Sequence, residues 1–186
     1  MEQLISVILG ISLASAVGFR VFIPFLIVSL AAHFGYFDLN DNWQWIGGIP
    51  AILTFAIATI VEIFAYFIPF VDNLLDTIAV PIAGLAGSVI MLSTIGEFDP
   101  LITYSLAILA GGGTAALVKS ATSTSRLASS TVTAGLANPI VSATESGLSS
   151  VLSLSAIFVP ILAIILVISI LFLMYKLYAK TKKVIR

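Results

Sequence analysis

The strongest constraint on this chain is a set of long apolar runs with almost no charge inside them. Residues 47–70 hold one charged side chain, Glu62, and residues 74–95 hold one, Asp76. Residues 101–118 and 151–175 hold none, and residues 4–33 hold only Arg20. A bilayer core about 30 Å thick is crossed by roughly 20 apolar helical residues, so each run is long enough to span. In water these runs would need a charged surface to cover them. Only 9% of the 186 residues are charged, against about a quarter in soluble domains, while 60% are apolar. The fold class that follows is all-α: a polytopic helical membrane protein forming a single domain over residues 1–186, with about five transmembrane helices and broken or re-entrant segments.

Charge and composition also narrow the function. A formal net charge of -1, with no basic face outside the last few residues, excludes nucleic-acid binding by charge. Without cysteine there is no disulfide framework, thiolate nucleophile or cysteine-ligated metal, and a single histidine excludes a histidine-rich metal site. No metal or cofactor is expected. Met1-Glu2-Gln3 lacks the positive stretch that opens a cleavable signal peptide, so the first apolar segment is expected to stay in the protein.

Two stretches leave alternatives open. As one helix, the 30 residues of 4–33 would reach about 45 Å, too long for a straight crossing. Either the helix tilts and bends near Pro24, or residues 4–18 and 21–34 form two arms of a re-entrant hairpin with Arg20 near the bend. The Ser/Thr/Ala-rich stretch 120–150 carries Gly135, Pro139, Arg126 and Glu145. It reads either as a surface loop or as two short buried helices, 128–136 and 140–148.

Five of the eight basic residues, Lys176, Lys180, Lys182, Lys183 and Arg186, follow the last run, which places the C-terminus in the cytoplasm by the positive-inside rule. Trp43, Trp45, Tyr175 and Tyr178 read as interface anchors. His33 sits at the end of the first run and reads as an interfacial residue.

A charge within the hydrocarbon costs at least about 2.5 kcal/mol, so each one is a candidate for function. The candidates are Arg20, Glu62, Asp72, Asp76, Arg126 and Glu145. Arg20 with Glu62, and Arg126 with Glu145, read either as structural ion pairs or as a site for an anion, an ion or a proton. Asp72 reads as the N-cap of the 74–95 helix, with Asp76 one turn later; together they could also bind a cation or a proton.

Small residues precede each arginine, from Gly10 to Gly18 and from Gly111 to Ser120, and each arginine is followed by a proline and a glutamate. With one span between the halves, this pattern is compatible with an inverted repeat of the kind transporters use. The stripes Gly10/Ala14/Gly18, Ala83/Gly87 and Gly111/Ala115 fit close helix packing, within the chain or in a homo-oligomer. Gly111 to Gly113 lacks the Gly-Lys-Ser/Thr of a phosphate-binding loop, but its helix can unwind there.

The run Gly18-Phe19-Arg20-Val21-Phe22-Ile23-Pro24, then Glu62 with Ile68-Pro69, then Val71-Asp72-Asn73-Leu74-Leu75-Asp76 and Gly111-Gly112-Gly113, resembles the family catalogued as domain-of-unknown-function 4126. The likeness covers nearly the whole chain and implies a small multi-span protein of the bacterial inner membrane, without assigning an activity to any residue. Arg20-Val21-Phe22-Ile23-Pro24 is also similar to the arginine-aromatic-Ile-Pro element of DedA-type lipid-phosphate flippases, with one residue inserted and no second arginine after the proline.

Three functions fit the sequence. The first is a small transporter or flippase, in which Arg20 and Arg126 meet a phosphate or carboxylate, free or on a lipid, and Glu62, Asp72 and Asp76 couple protons or cations. The second is a non-transporting membrane scaffold or assembly subunit whose charges pair only with each other. The third, an enzyme acting on lipid, lacks a Ser-His or metal constellation and would need acid-base work by carboxylates; the expectation is therefore no enzyme.

Overall fold

Proline decides where most helices start. A proline occupies the first or second position of five of them, where its missing N–H costs nothing. A computed structural model describes residues 1–133 and 135–184; the side chains of 69, 70, 72, 73, 174 and 177–184 lie outside the described residues. So do the side chains of Asp72, Tyr178, Lys180, Lys182 and Lys183, and the whole of Arg186, all of which the sequence singled out.

The chain is an all-α polytopic helical protein. Helix α1 (Glu2–Phe19) is followed by α2 (Phe22–His33), a 3-10 turn (Asp41–Gly47), α3 (Ile49–Ala65) and α4 (Pro69–Thr94). Next come α5 (Pro100–Ser105), a π-helical segment (Leu106–Gly112), α6 (Gly113–Thr133), α7 (Asn138–Phe158) and α8 (Pro160–Val184). Among the described residues, four helical stretches are long and apolar enough to cross a membrane: Glu2–Phe19, Leu74–Thr94, Pro100–Thr133 and Asn138–Phe158. The 3-10 turn and α3, bent by 64° relative to each other, make a fifth if counted as one span.

Several boundaries differ from those read in the sequence, each for a local reason. The first run is two helices rather than one kinked helix, because Arg20 is extended (φ -142, ψ 129) and the chain turns back. Tyr36, just past α2, packs against Phe158, and residues 35–41 share a cleft with the first residues of α1. The run 151–175 is split at Val159, where Pro160 starts α8. Leu152, Val167 and Leu171 meet in one cluster, so α7 and α8 are antiparallel. Stretch 120–150 is neither a loop nor two short helices: α6 continues to Thr133, Gly135 makes the turn at φ 85, and Pro139 belongs to the first turn of α7. Pro100–Thr133 is 34 residues long, about 51 Å, which exceeds the hydrocarbon core. Its Ser/Thr-rich second half therefore extends beyond the apolar part.

Helices α1, α4 and the Pro100–Thr133 stretch pack backbone to backbone at the centre. A Cβ on Gly87 would lie 2.8 Å from the Gly111 carbonyl oxygen, and one on Gly18 would lie 2.7 Å from the Ala115 carbonyl oxygen. The π-helical segment ends in this crossing, where Gly111 and Gly112 face α4. Ser149 adds an interhelical hydrogen bond from α7 to the Ala16 carbonyl (2.9 Å). These small-residue stripes serve close helix packing inside the chain. The contacts also fix direction. Gly10 and Gly111 both meet Met91, while Gly18 meets Val118, so α1 and α6 run the same way. An inverted repeat would make its two arginine-bearing helices run oppositely, so these halves are not inverted copies.

Overpacking such a crossing costs about 1–3 kcal/mol. Gly87→Ala is expected to lower the unfolding temperature in detergent, despite the better helix propensity of alanine. Gly113→Ala is the matched control, since a Cβ there meets nothing within 4 Å; it should leave the temperature unchanged or raise it.

Candidate functional site

At the end of the bundle where α1 stops, the chain gathers most of its buried charge. Arg20 is 0% exposed, Arg126 1%, Lys119 2% and Glu145 3%. Arg126 on α6 makes a bidentate pair with Glu145 on α7, with Nε donating to Oε1 at 3.0 Å and Nη2 donating to Oε2. Arg20 Nη2 lies 3.6 Å from the same Oε2 and donates to the Ser142 hydroxyl and carbonyl (3.2 Å for the carbonyl). One carboxylate thus serves two guanidinium groups.

Tyr66, just after α3, completes the cluster. Its ring centroid lies 4.2 Å from the Arg20 guanidinium carbon, 4.4 Å from that of Arg126 and 4.8 Å from Lys119 Nζ. Desolvated cation–π contacts of this kind contribute up to about 2 kcal/mol each. The Tyr66 hydroxyl accepts from Lys119 Nζ at 3.0 Å and donates to Asp76 at 3.5 Å. Asp76 also accepts from Ser123 at 3.3 Å and lies 3.7 Å from Lys119.

Glu62 does not pair with Arg20 as the sequence implied. Its two carboxylate oxygens accept from the backbone N–H groups of Val21 (2.9 Å) and Phe22 (3.0 Å), so it caps α2 from another helix. Those amides have no intrahelical partner, since they belong to the first turn of α2. A carboxylate is favoured there by the helix dipole as well. The Glu62 charge still acts on Arg20, together with that of Glu145.

The structure therefore brings together Arg20, Glu62, Asp76, Arg126 and Glu145. The sequence reading did not include Lys119, Tyr66, Ser123 or Ser142. A signal for Lys119 was present, because it directly follows the charge-free run 101–118; nothing distinguished Tyr66 or the two serines. Asp72 is not the N-cap of α4, which starts earlier, at Pro69 with Ile68 as the cap residue. Arg20 and Glu62 lie at helix ends: Arg20 directly follows α1, and Glu62 sits in the last turn of α3.

At the opposite end, a cleft of about 1210 Å³ is lined by Glu2, Asp38, Asp41 and Glu97 among others, some 18 helical residues of α1 away from Arg20. His33 lies toward that end, with Nδ1 2.9 Å from the Gly47 carbonyl oxygen, and Trp45 is exposed there. Among the described residues, no group of three His, Cys, Asp or Glu side chains is arranged to hold a metal ion.

Removing one partner of a buried ion pair costs about 3–5 kcal/mol. Glu145→Gln, which takes the charge from two arginines at once, should destabilise the protein by that order in detergent unfolding. A loss no larger than that of Ser142→Ala would show that the shared carboxylate is not what holds the cluster.

No curated protein and no solved structure matches the chain. The family model described as Domain of unknown function (DUF4126) matches residues 7–180, which takes in the Arg20 turn, Glu62, the start of α4 and both helices that carry the Arg126–Glu145 pair. By that match the chain belongs to the DUF4126 family.

Proposed function

We propose that this protein is a small membrane transporter or flippase for an anionic substrate bearing a phosphate or carboxylate, with Arg20 as the central anion-binding group. The observation that carries the reading is an incomplete guanidinium: Arg20 is fully buried, yet its Nε and Nη1 have no hydrogen-bond acceptor among the described residues. A buried charged donor without a partner is costly, and an incoming oxyanion would relieve that cost. Arg126 and Glu145 frame the position, while Glu62, Asp72 and Asp76 are the candidates for coupling to protons or cations. The short likeness of Arg20–Pro24 to DedA-type flippases puts lipid phosphates among the substrates to test.

The scaffold reading has its own support, since Glu62, Asp76 and Glu145 are all engaged by protein groups. Reconstitution separates the two. In liposomes tested with labelled polyprenyl phosphate and with small anions, the wild type should move at least one of them, and Arg20→Ala should slow that movement at least tenfold. Equal movement of every candidate by both proteins would remove Arg20 as the site.

Orientation in the plasma membrane belongs to the same proposal. The described acids Glu2, Asp38, Asp41 and Glu97 line the end far from the charge cluster, while Arg20, Lys119 and Arg126 lie at the other; the sequence after the last apolar run is basic. The positive-inside rule puts the cluster at the cytoplasmic face. The chain has no cysteine, so one introduced at exposed Asp38 or exposed Ser125 is a unique handle. An impermeant maleimide should label position 38 in intact cells, and position 125 only after permeabilisation.

A further inference from the structure

We infer that the substrate is an anionic phospholipid that enters sideways from the bilayer at the α3–α4 turn, with the ring of Tyr66 as the cover that moves aside for its phosphate. The inference rests on the anion-transport reading above and narrows it to one substrate class and one path.

Arg20, Lys119 and Arg126 are at most 2% exposed, so an anion reaches them only when something that covers them moves. Most of what surrounds them is locked. Helices α1, α4 and the Pro100–Thr133 stretch touch through their backbones at Gly18, Gly87 and Gly111, and Ser149 ties α7 to α1. Helix α3 is held differently. Among the described residues it packs closely on α2 and the 3-10 turn, and on none of the helices of the glycine crossing. Two side chains fasten its end to the cluster. Glu62 accepts from the amides of Val21 and Phe22, and Tyr66, just past the helix, lays its ring against all three cations. The Tyr66 hydroxyl accepts from Lys119 at 3.0 Å, and its bond to Asp76 is long, at 3.5 Å. Tyr66 therefore reaches the cations from a turn, and withdrawing its ring breaks no contact of the glycine crossing.

Depth and surroundings name the ligand. Arg20 directly follows α1 and Lys119 directly follows the charge-free run 101–118, so the cations stand where the hydrocarbon ends and lipid headgroups begin. On both sides of the turn the surface is apolar and uncovered: Phe64, Phe67 and Ile68 before α4, Leu74 and Ile78 on it. Acyl chains can lie against these side chains while a phosphate sits level with the cations. A small anion in water gains nothing from that surface. Once the ring withdraws, the side of the cations on which it lay is open, and the phosphate supplies oxygens to Arg20, two of whose nitrogens have no acceptor among the described residues. Hydrogen bonds from guanidinium to phosphate are roughly twice as strong as neutral ones, which offsets the lost Tyr66 contacts. Basic pockets between membrane helices hold lipid headgroups by the same attraction.

The test uses the full chain in phosphatidylcholine liposomes, with an indole placed at the turn by Phe67→Trp and brominated lipids as contact quenchers. Trp43 and Trp45 stay in place near the opposite end, and the parent protein supplies their share of the signal. Brominated phosphatidate should quench the introduced indole with an affinity about tenfold above that of brominated phosphatidylcholine. Arg20→Gln should abolish this preference; because Arg20 is buried, attraction of the lipid to the basic C-terminal segment would survive that change and is thereby told apart. Tyr66→Phe, which keeps the ring and gives up the bonds to Lys119 and Asp76, should raise the phosphatidate affinity severalfold, and Tyr66→Ala should raise it further. Ile68→Trp, in the same turn, repeats the measurement should Phe67→Trp not fold. Excess inorganic phosphate should leave the quenching unchanged. Weaker phosphatidate binding in both Tyr66 variants, in protein that still unfolds cooperatively, overturns Tyr66 as the cover. Equal quenching by the two brominated lipids, with Arg20-dependent uptake of inorganic phosphate, overturns the inference and leaves the transport reading standing. Equal quenching together with no movement of any anion overturns both.

Discussion

The carboxylate of Glu145 is the interaction on which the rest of this end of the molecule depends. It lets two guanidinium groups be buried side by side, one from the α1–α2 turn and one from α6, where either alone would carry a desolvation cost of several kcal/mol. The ring of Tyr66 lies against both and brings the end of α3 into the same cluster. Asp76 and Lys119 extend it to α4. Five otherwise separate pieces of chain are thereby fixed to one another by charge, at the end of the bundle where the apolar part of α6 gives way to serine and threonine.

Below that cluster the contacts are of a different kind. Apolar side chains gain little from facing one another in lipid, so helix association rests on close packing and interhelical hydrogen bonds. Gly18, Gly87 and Gly111 supply the first by letting α1, α4 and the Pro100–Thr133 stretch touch through their backbones, and Ser149 supplies the second. The two regions are linked mechanically. The glycine crossing sets the spacing of α1 and α6, and that spacing holds Arg20 and Arg126 within reach of one carboxylate.

The break at Arg20 joins structure to the proposed chemistry. Helix α1 stops, the chain turns, and the two amides that open α2 need an acceptor. Glu62 provides it from α3, so the acid that balances Arg20 electrostatically is held by the backbone instead. This leaves Arg20 less completely satisfied than Arg126, whose Nε and Nη2 are both taken by Glu145.

The sequence by itself determined the all-helical membrane character, the small-residue stripes and five of the residues in the charge cluster, because hydropathy and the cost of burying charge act residue by residue. It carried the helix starts as well: Pro139 and Pro160 mark first turns, although the apolar run 151–175 masks the break at Val159. Only the tertiary structure decided which charges meet. Glu62 caps a helix because α2 folds back beside α3, and Tyr66 and Ser142 become part of the cluster because distant segments converge there; Ser142 lies 122 residues from Arg20. Local pattern fixes what a segment must bury. What it is buried against depends on the directions of helices far apart in the chain, and no run of residues records those.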